Sequence, residues 1–142
     1  MAYLPPSKKI EPWEPNATAL LDPDKLKWKD LVVSGTPVPT PWRKDDFETM
    51  EHDIQAQRRE IRAQKRPESE MDKLFKEERQ KEDAMLASDK YSDKVGAFEG
   101  ADYEAHGYYR PQENCIMFTR HDSFCAVCRR AIERIIAMYS SQ

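Results

Sequence analysis

Glycine, cysteine and histidine are all scarce in this chain: four, three and three among 142 residues. That scarcity excludes several kinds of site. No two histidines stand one helical turn apart with a glutamate beside the first, so no HExxH helix can hold zinc within these residues. No GxSxG elbow presents a nucleophilic serine. Gly96, Gly100 and Gly107 permit turns, but the lysine and the G-x-G-x-x-G register of a phosphate cradle are both missing. Neither sign of charge is in excess. With 23 Lys and Arg, 26 Asp and Glu and a net charge of -3, no basic surface argues for nucleic acid or an anionic membrane as partner. Long apolar runs are absent, which leaves no transmembrane span. The opening MAYLPPSKK has no apolar core ahead of its prolines, so no export signal is expected in it. The odd cysteine count leaves a free thiol after one disulfide, and the compartment stays open.

What is present is unevenly spread. The length suits one domain with an appendage at most, and the chain divides into three parts of one subdomain, 1–42, 43–90 and 91–142. The first holds eight prolines and all three tryptophans, Trp13, Trp28 and Trp42. So many prolines forbid a long regular element, yet large aromatics are poor company for disorder. A segment packed along a larger body is expected, with a disordered leader as the alternative. One short helix fits inside it: Asp22 as N-cap, Pro23 at the first position, Trp28, Leu31 and Val32 on a face, Gly35 as the stop. NAT at Asn16 matches a glycosylation sequon without other support.

Residues 43–90 carry most of the charge and no glycine. Phe47, Met50, Ile54 and Ile61 follow helical spacing, Pro67 interrupts, SEMD at 69–72 offers a capping box, and Met71, Leu74, Phe75, Met85 and Leu86 make a thinner second stripe. The pattern predicts a helical hairpin with a solvated charged face, or, in a second reading, a scaffold for a partner helix.

The last part interleaves three glycines with Phe98, Tyr103, Tyr108 and Tyr109, then turns helical from about Ser123. Phe124, Val127, Cys128, Ala131, Ile135 and Met138 share a face, widened by Ile132, Ile136 and Tyr139, and a stripe that wide is expected to be buried. The fold class expected for the whole is α+β, or mainly α with extensive loops.

Three chemistries compete for NCIMFTRHDSFCAVC, residues 114–128. Cys115, His121, Cys125 and Cys128 can complete a Cys3His zinc knuckle, although a structural zinc site normally draws on two separated ligand pairs. A Cys/His nucleophile pair is the second reading, weakened because a cysteine on a buried helical face is usually inert. The third begins from Cys115, Ile116 and Met117.

CIM ahead of an amphipathic helix resembles the end of a metzincin zinc peptidase, where a tight turn sets a methionine beneath the zinc-binding histidines as an apolar floor. IEPWEPNATALLDPDKLKWKDLV, GTPVPTPW, KVGAFEGADYEAHGYYRPQENCIMF and FCAVCRRAIERII, in that order, resemble the C-terminal part of the bacterial IgA-peptidase-like zinc metallopeptidases. The resemblance runs from about Ile10 to Tyr139, and the charged hairpin fits it as an insert. It implies one zinc in the complete enzyme, held by an HExxH helix and a third ligand upstream of these residues, whose glutamate activates a metal-bound water. It also implies an N-terminal catalytic lobe as partner, in the same gene or in trans, and a protein or peptide substrate. For this chain it implies Met117 as the zinc-site floor. Glu99, Tyr103, Tyr109 and Arg110 are the polar residues expected near a peptide, each with a purely structural alternative. No catalytic residue and no zinc are expected on the chain alone. Cys115 is expected to pair with Cys125 or Cys128 in an oxidising setting, the partner left open. The expected function is the C-terminal portion of a metalloendopeptidase, incompetent alone, whether as truncation, split subunit or degenerate relative. A small zinc-stabilised interaction module and a non-enzymatic hairpin scaffold are the alternatives.

Overall fold

Prolines deprive the first third of donors, and the chain meets the deficit with one lysine. In the computed structural model, which describes residues 10–101, 104–119 and 123–141, the Lys27 ammonium donates to the carbonyls of Pro12, Glu14 and Ala17 and pairs with Glu11 at 3.2 Å. Three ammonium hydrogens thus serve three carbonyls that no neighbouring strand reaches. Glu11 also accepts from Thr18 Oγ1 and the Ala19 N–H. Burial raises its carboxyl pKa, but these bonds and Lys27 outweigh it and bring it below the usual carboxylate range.

Asp22 caps as expected, accepting from the Asp24 N–H at 3.0 Å with Pro23 next. The helix does not continue to Gly35. Two single 3-10 turns form instead, Pro23–Lys25 and Lys29–Leu31, because Leu26 turns extended between them and lets Trp28 dive inward. Trp28 is wholly buried and its indole N–H donates to the Gly96 carbonyl at 2.6 Å. Not every tryptophan packs, however: Trp13 is 87% exposed.

Helix α1 (Lys44–Ala63) and helix α2 (Glu68–Ala87) form a hairpin. Ile54 is the buried residue of α1, packed with Met71 and Leu74 of α2, while Met50, Ile61 and Phe75 border them. The expected capping box is absent. Pro67 stands at the N-cap, so Ser69 already lies inside α2, and no side chain caps the first turn. Proline is preorganised for a helix start, which places the boundary ahead of the serine.

Strand β1 (Phe98–Ala101) pairs antiparallel with strand β2 (Glu104–Arg110), Phe98 opposite Arg110 and Glu99 opposite Tyr109, with an irregularity around Gly100. Gly100 takes φ +113°, a conformation side chains resist, and a Cβ there would meet Arg110 Nη1 at 3.1 Å. Thr18 adds a two-way backbone bridge to Tyr109, and Thr40 bonds Ala97 through its amide and hydroxyl. The proline-rich segment therefore flanks the sheet. Its approach is so close that a Cβ on Gly96 would stand 2.1 Å from Thr40 Oγ1.

Helix α3 (Ala126–Ser140) starts from Cys125 at its N-cap. Leu26, Trp28, Cys115, Cys125, Val127 and Cys128 form the main core, bordered by Leu20, Leu31, Val32, Val38, Val95 and Phe118. Among the described residues three α-helices and one two-stranded sheet fit the expected class, α+β or mainly α with extensive loops. The burial expected along α3 holds only for its first turn. Ile135, Ile136, Met138 and Tyr139 are 53–70% exposed, since past Cys128 the helix meets the rest of the described residues only at its side, through Asp30 at Arg130 and Pro15 beside Ile135. Among the described residues no helix is long and apolar enough to cross a membrane.

Candidate functional site

Three clusters of polar or reactive side chains stand out: one on the sheet, one at the turn of 115–119 beside the hairpin, and one at the start of α3. The first is a rim on the sheet. Glu99 and Tyr109, paired in register, stand side by side; Lys44 from the start of α1 reaches Glu99 Oε1 at 2.6 Å and His106 Nδ1 at 3.0 Å. The Gly107 N–H donates to the other Glu99 oxygen. Burial alone would raise the Glu99 pKa, yet the Lys44 and Gly107 hydrogen bonds and the lysine's charge hold it low. Tyr109 moves the other way: burial, the Glu99 charge and its hydrogen bond to Glu99 all raise its pKa. A carboxylate, an ammonium, an imidazole and a phenol together can hold the polar groups of an extended peptide.

Behind the rim lies Arg110, which is buried rather than surface-facing. Its guanidinium donates to the carbonyls of Gly100, Gln112 and Glu113 and sits 4.4 Å from the Trp42 ring centre. Burial lowers its pKa to about 10, against the opposing pull of Glu113, Cys115 and Glu82, so it stays charged at neutral pH. Beneath it Glu113 is fully buried. Burial pushes that carboxyl up to about 9, the adjacent Asp89 adds to the shift, and Arg110 and Arg43 offset part of it.

The second cluster is the turn at 115–119. Phe118 and Thr119 N–H groups donate to the Cys115 carbonyl, and Ile116 donates to the Ser123 carbonyl at 2.9 Å. Ile116 and Met117 are thereby held outward, 43% and 55% exposed. The open groove beside them is lined by Phe47 and Glu51 of α1 and by Glu78 and Glu82 of α2. Carboxylate oxygens of Glu51, Glu78 and Glu82 lie within 4.8 Å of one another. Sequence reasoning missed this grouping, although Glu78 and Glu82 are spaced i, i+4 on the apolar side of α2.

The third cluster is formed by Cys115, Cys125 and Cys128, all buried and all free thiols, with their sulfurs within 4.8 Å. Cys115 and Cys128 sulfurs are 3.7 Å apart. The Cys125 N–H points at Cys115 Sγ at 3.2 Å, and the Asn16 amide at Cys128 Sγ at 3.4 Å. Hydrogen bonds from Cys125 and Cys128 lower the Cys115 pKa steeply, and those two thiols are raised in return through their bonds to Cys115.

Of the residues singled out from sequence, Glu99 and Tyr109 come together on the rim, Arg110 braces it from inside, and Met117 projects from the turn. Tyr103 and His121 lie outside the described residues. His52 on α1 and His106 on β2 belong to no cluster of metal-ligating side chains among the described residues.

These features sit on a peptidase-family domain. A model of the IgA Peptidase M64 family matches residues 1–136, and the chain belongs to that family. No curated protein matches the chain.

Proposed function

We propose that the chain is the C-terminal portion of a zinc-dependent metalloendopeptidase, inactive in peptide hydrolysis until joined by an HExxH-bearing lobe. Membership of the peptidase family across residues 1–136, in a sequence with no HExxH, is the observation that carries the reading. The described histidines do not assemble a zinc site, so no catalytic step is assigned to them. In the joined enzyme zinc would polarise the scissile carbonyl and help generate the attacking water.

The chain's own contribution is positional. Met117, held outward by a turn whose amides are bonded, is suited to be the apolar floor of a metzincin-type centre. There Met117 would add no ligand to the metal and would supply an apolar side chain that limits the access of water. Glu99 and Tyr109, steadied by Lys44, make one wall of the substrate cleft, and Arg110 holds that wall by clamping the backbone on both sides of it. The exposed apolar length of α3 is the surface the catalytic lobe would cover.

The test is complementation: an HExxH-bearing lobe from the family, mixed with this chain or fused ahead of it, assayed on an unstructured protein substrate. Hydrolysis that needs both parts, is abolished by a chelator, and falls in Met117→Ala supports the reading. A lobe that binds the chain and its own zinc yet cleaves nothing would overturn it, leaving the chain a non-enzymatic relative.

A further inference from the structure

The three buried thiols stand in an arrangement that plain packing does not require. They come from separate places: Cys115 from the turn, Cys125 from the N-cap of α3 and Cys128 from its first helical turn. Asn16, 112 residues away in sequence, spends an amide N–H on Cys128. The Cys125 N–H is likewise spent on Cys115. Neutral thiols are weak acceptors and need no such donors; thiolates do. A tetrahedral ion with metal–sulfur bonds of about 2.3 Å spaces its sulfurs by about 3.8 Å. Cys115 and Cys128 are 3.7 Å apart, and all three sulfurs fit within 4.8 Å. The positive end of α3 also faces the group, since Cys125 is its N-cap.

We infer that Cys115, Cys125 and Cys128 bind one zinc ion through three thiolates, as a structural brace joining the 115–119 turn, the start of α3 and the Asn16 segment. This revises the expectation, drawn from resemblance, that the chain alone carries no metal. Each thiol releases its proton as zinc binds, so three negative charges meet a dication and buried charge is largely neutralised. Tetrahedral preference leaves one position for a further ligand. Because its three ligands are buried and come from the 115–119 turn and the start of α3, the ion acts as a brace, and the turn carrying Met117 is one of the parts it fixes. The thiol site stands whether or not the chain serves a peptidase.

The experiment uses the full chain, purified under a phosphine reductant without added metal. Metal analysis is expected to find about one zinc per chain. The metal-free chain, titrated with Co2+, is expected to develop thiolate-to-cobalt charge-transfer absorption that Zn2+ then displaces. Cys125→Ser and Cys128→Ser should each lower retained zinc at least tenfold. Because a serine variant can fail to fold, the cobalt spectrum of the unaltered chain is the arbiter. Cobalt absorption without thiolate bands places the ion on carboxylates such as Glu51, Glu78 and Glu82 and overturns the inference. So does a reduced, folded chain that binds neither ion, or a Cys–Cys disulfide that persists in the reductant.

Discussion

Replacing Arg110 by methionine separates a clamp from a surface residue. In the native chain the guanidinium serves three carbonyls: Gly100 at 2.9 Å, Gln112 at 3.2 Å and Glu113 at 2.9 Å. It also lies 4.4 Å from the Trp42 ring centre and 5.9 Å from that of Phe118. Each charge-assisted hydrogen bond contributes about 1.5–3 kcal/mol, and carbonyls left dry cost about 1–3 kcal/mol each. Stacking over Trp42 adds about 1–2 kcal/mol. Set against these, burying a guanidinium costs several kcal/mol of hydration, and methionine recovers some apolar contact. The balance is a loss of about 2–4 kcal/mol for R110M, whereas a surface arginine would change stability by about 0.5 kcal/mol or less. R110K should recover only part of the loss, since one ammonium cannot reach carbonyls on both sides and also stack. Urea unfolding followed by far-ultraviolet circular dichroism measures it, with an unchanged slope showing that only stability moved. A loss below about 0.5 kcal/mol for R110M would refute the clamp and return Arg110 to the surface.

Glu113→Gln probes the buried carboxyl. The folded-state pKa is raised to about 9 from 4.5, so the unfolded chain ionises first. Stability should therefore fall as pH rises from about 4.5 to about 9, by at most ~1.4 kcal/mol per pH unit from this group. Melting temperatures across that range should decline less steeply for E113Q than for the native chain, and parallel curves would contradict the assignment. On α3, the double change Ile136→Ser and Tyr139→Ser removes apolar surface from side chains that are 58% and 70% exposed. Light scattering should show weaker concentration-dependent association, with stability altered by no more than about 0.5 kcal/mol. A drop of several kcal/mol would mean that the face is already packed.

Arg110 also illustrates where sequence reading stops. YYRP offers two readings from sequence, a peptide contact or a surface arginine. Neither anticipates a guanidinium turned inward, because the Gly100, Gln112 and Glu113 carbonyls that attract it are brought round it by the β1–β2 pairing and the bend after Pro111. Lys27 is a similar case. Its three carbonyl partners precede it by 10 to 15 residues, and a proline-rich loop has no period from which their convergence could be read. The helix expected from Asp22 to Gly35 began with the right cap and failed at Leu26, because burying Trp28 against Gly96 outweighs propagation of a short helix.

Local chemistry was enough to place the hairpin helices either side of Pro67, to cap the turn at Asp22, and to make 91–142 a glycine- and tyrosine-rich loop followed by a helix, but it did not foresee that part of that loop pairs as β1 and β2. Each depends on neighbours within about one helical turn, where side-chain spacing and proline geometry act directly. The long words spread from Ile10 to Tyr139 were likewise sufficient for the peptidase family. Which apolar faces are covered was decided only in three dimensions: the stripe on α3 promises burial along its whole length, and the structure covers just Val127 and Cys128. The three cysteines were grouped from sequence, but the Asn16 amide was brought to Cys128 by tertiary packing alone, across 112 residues. Periodicity tells which side of an element is apolar; what lies against that side depends on contacts between segments that no local pattern encodes.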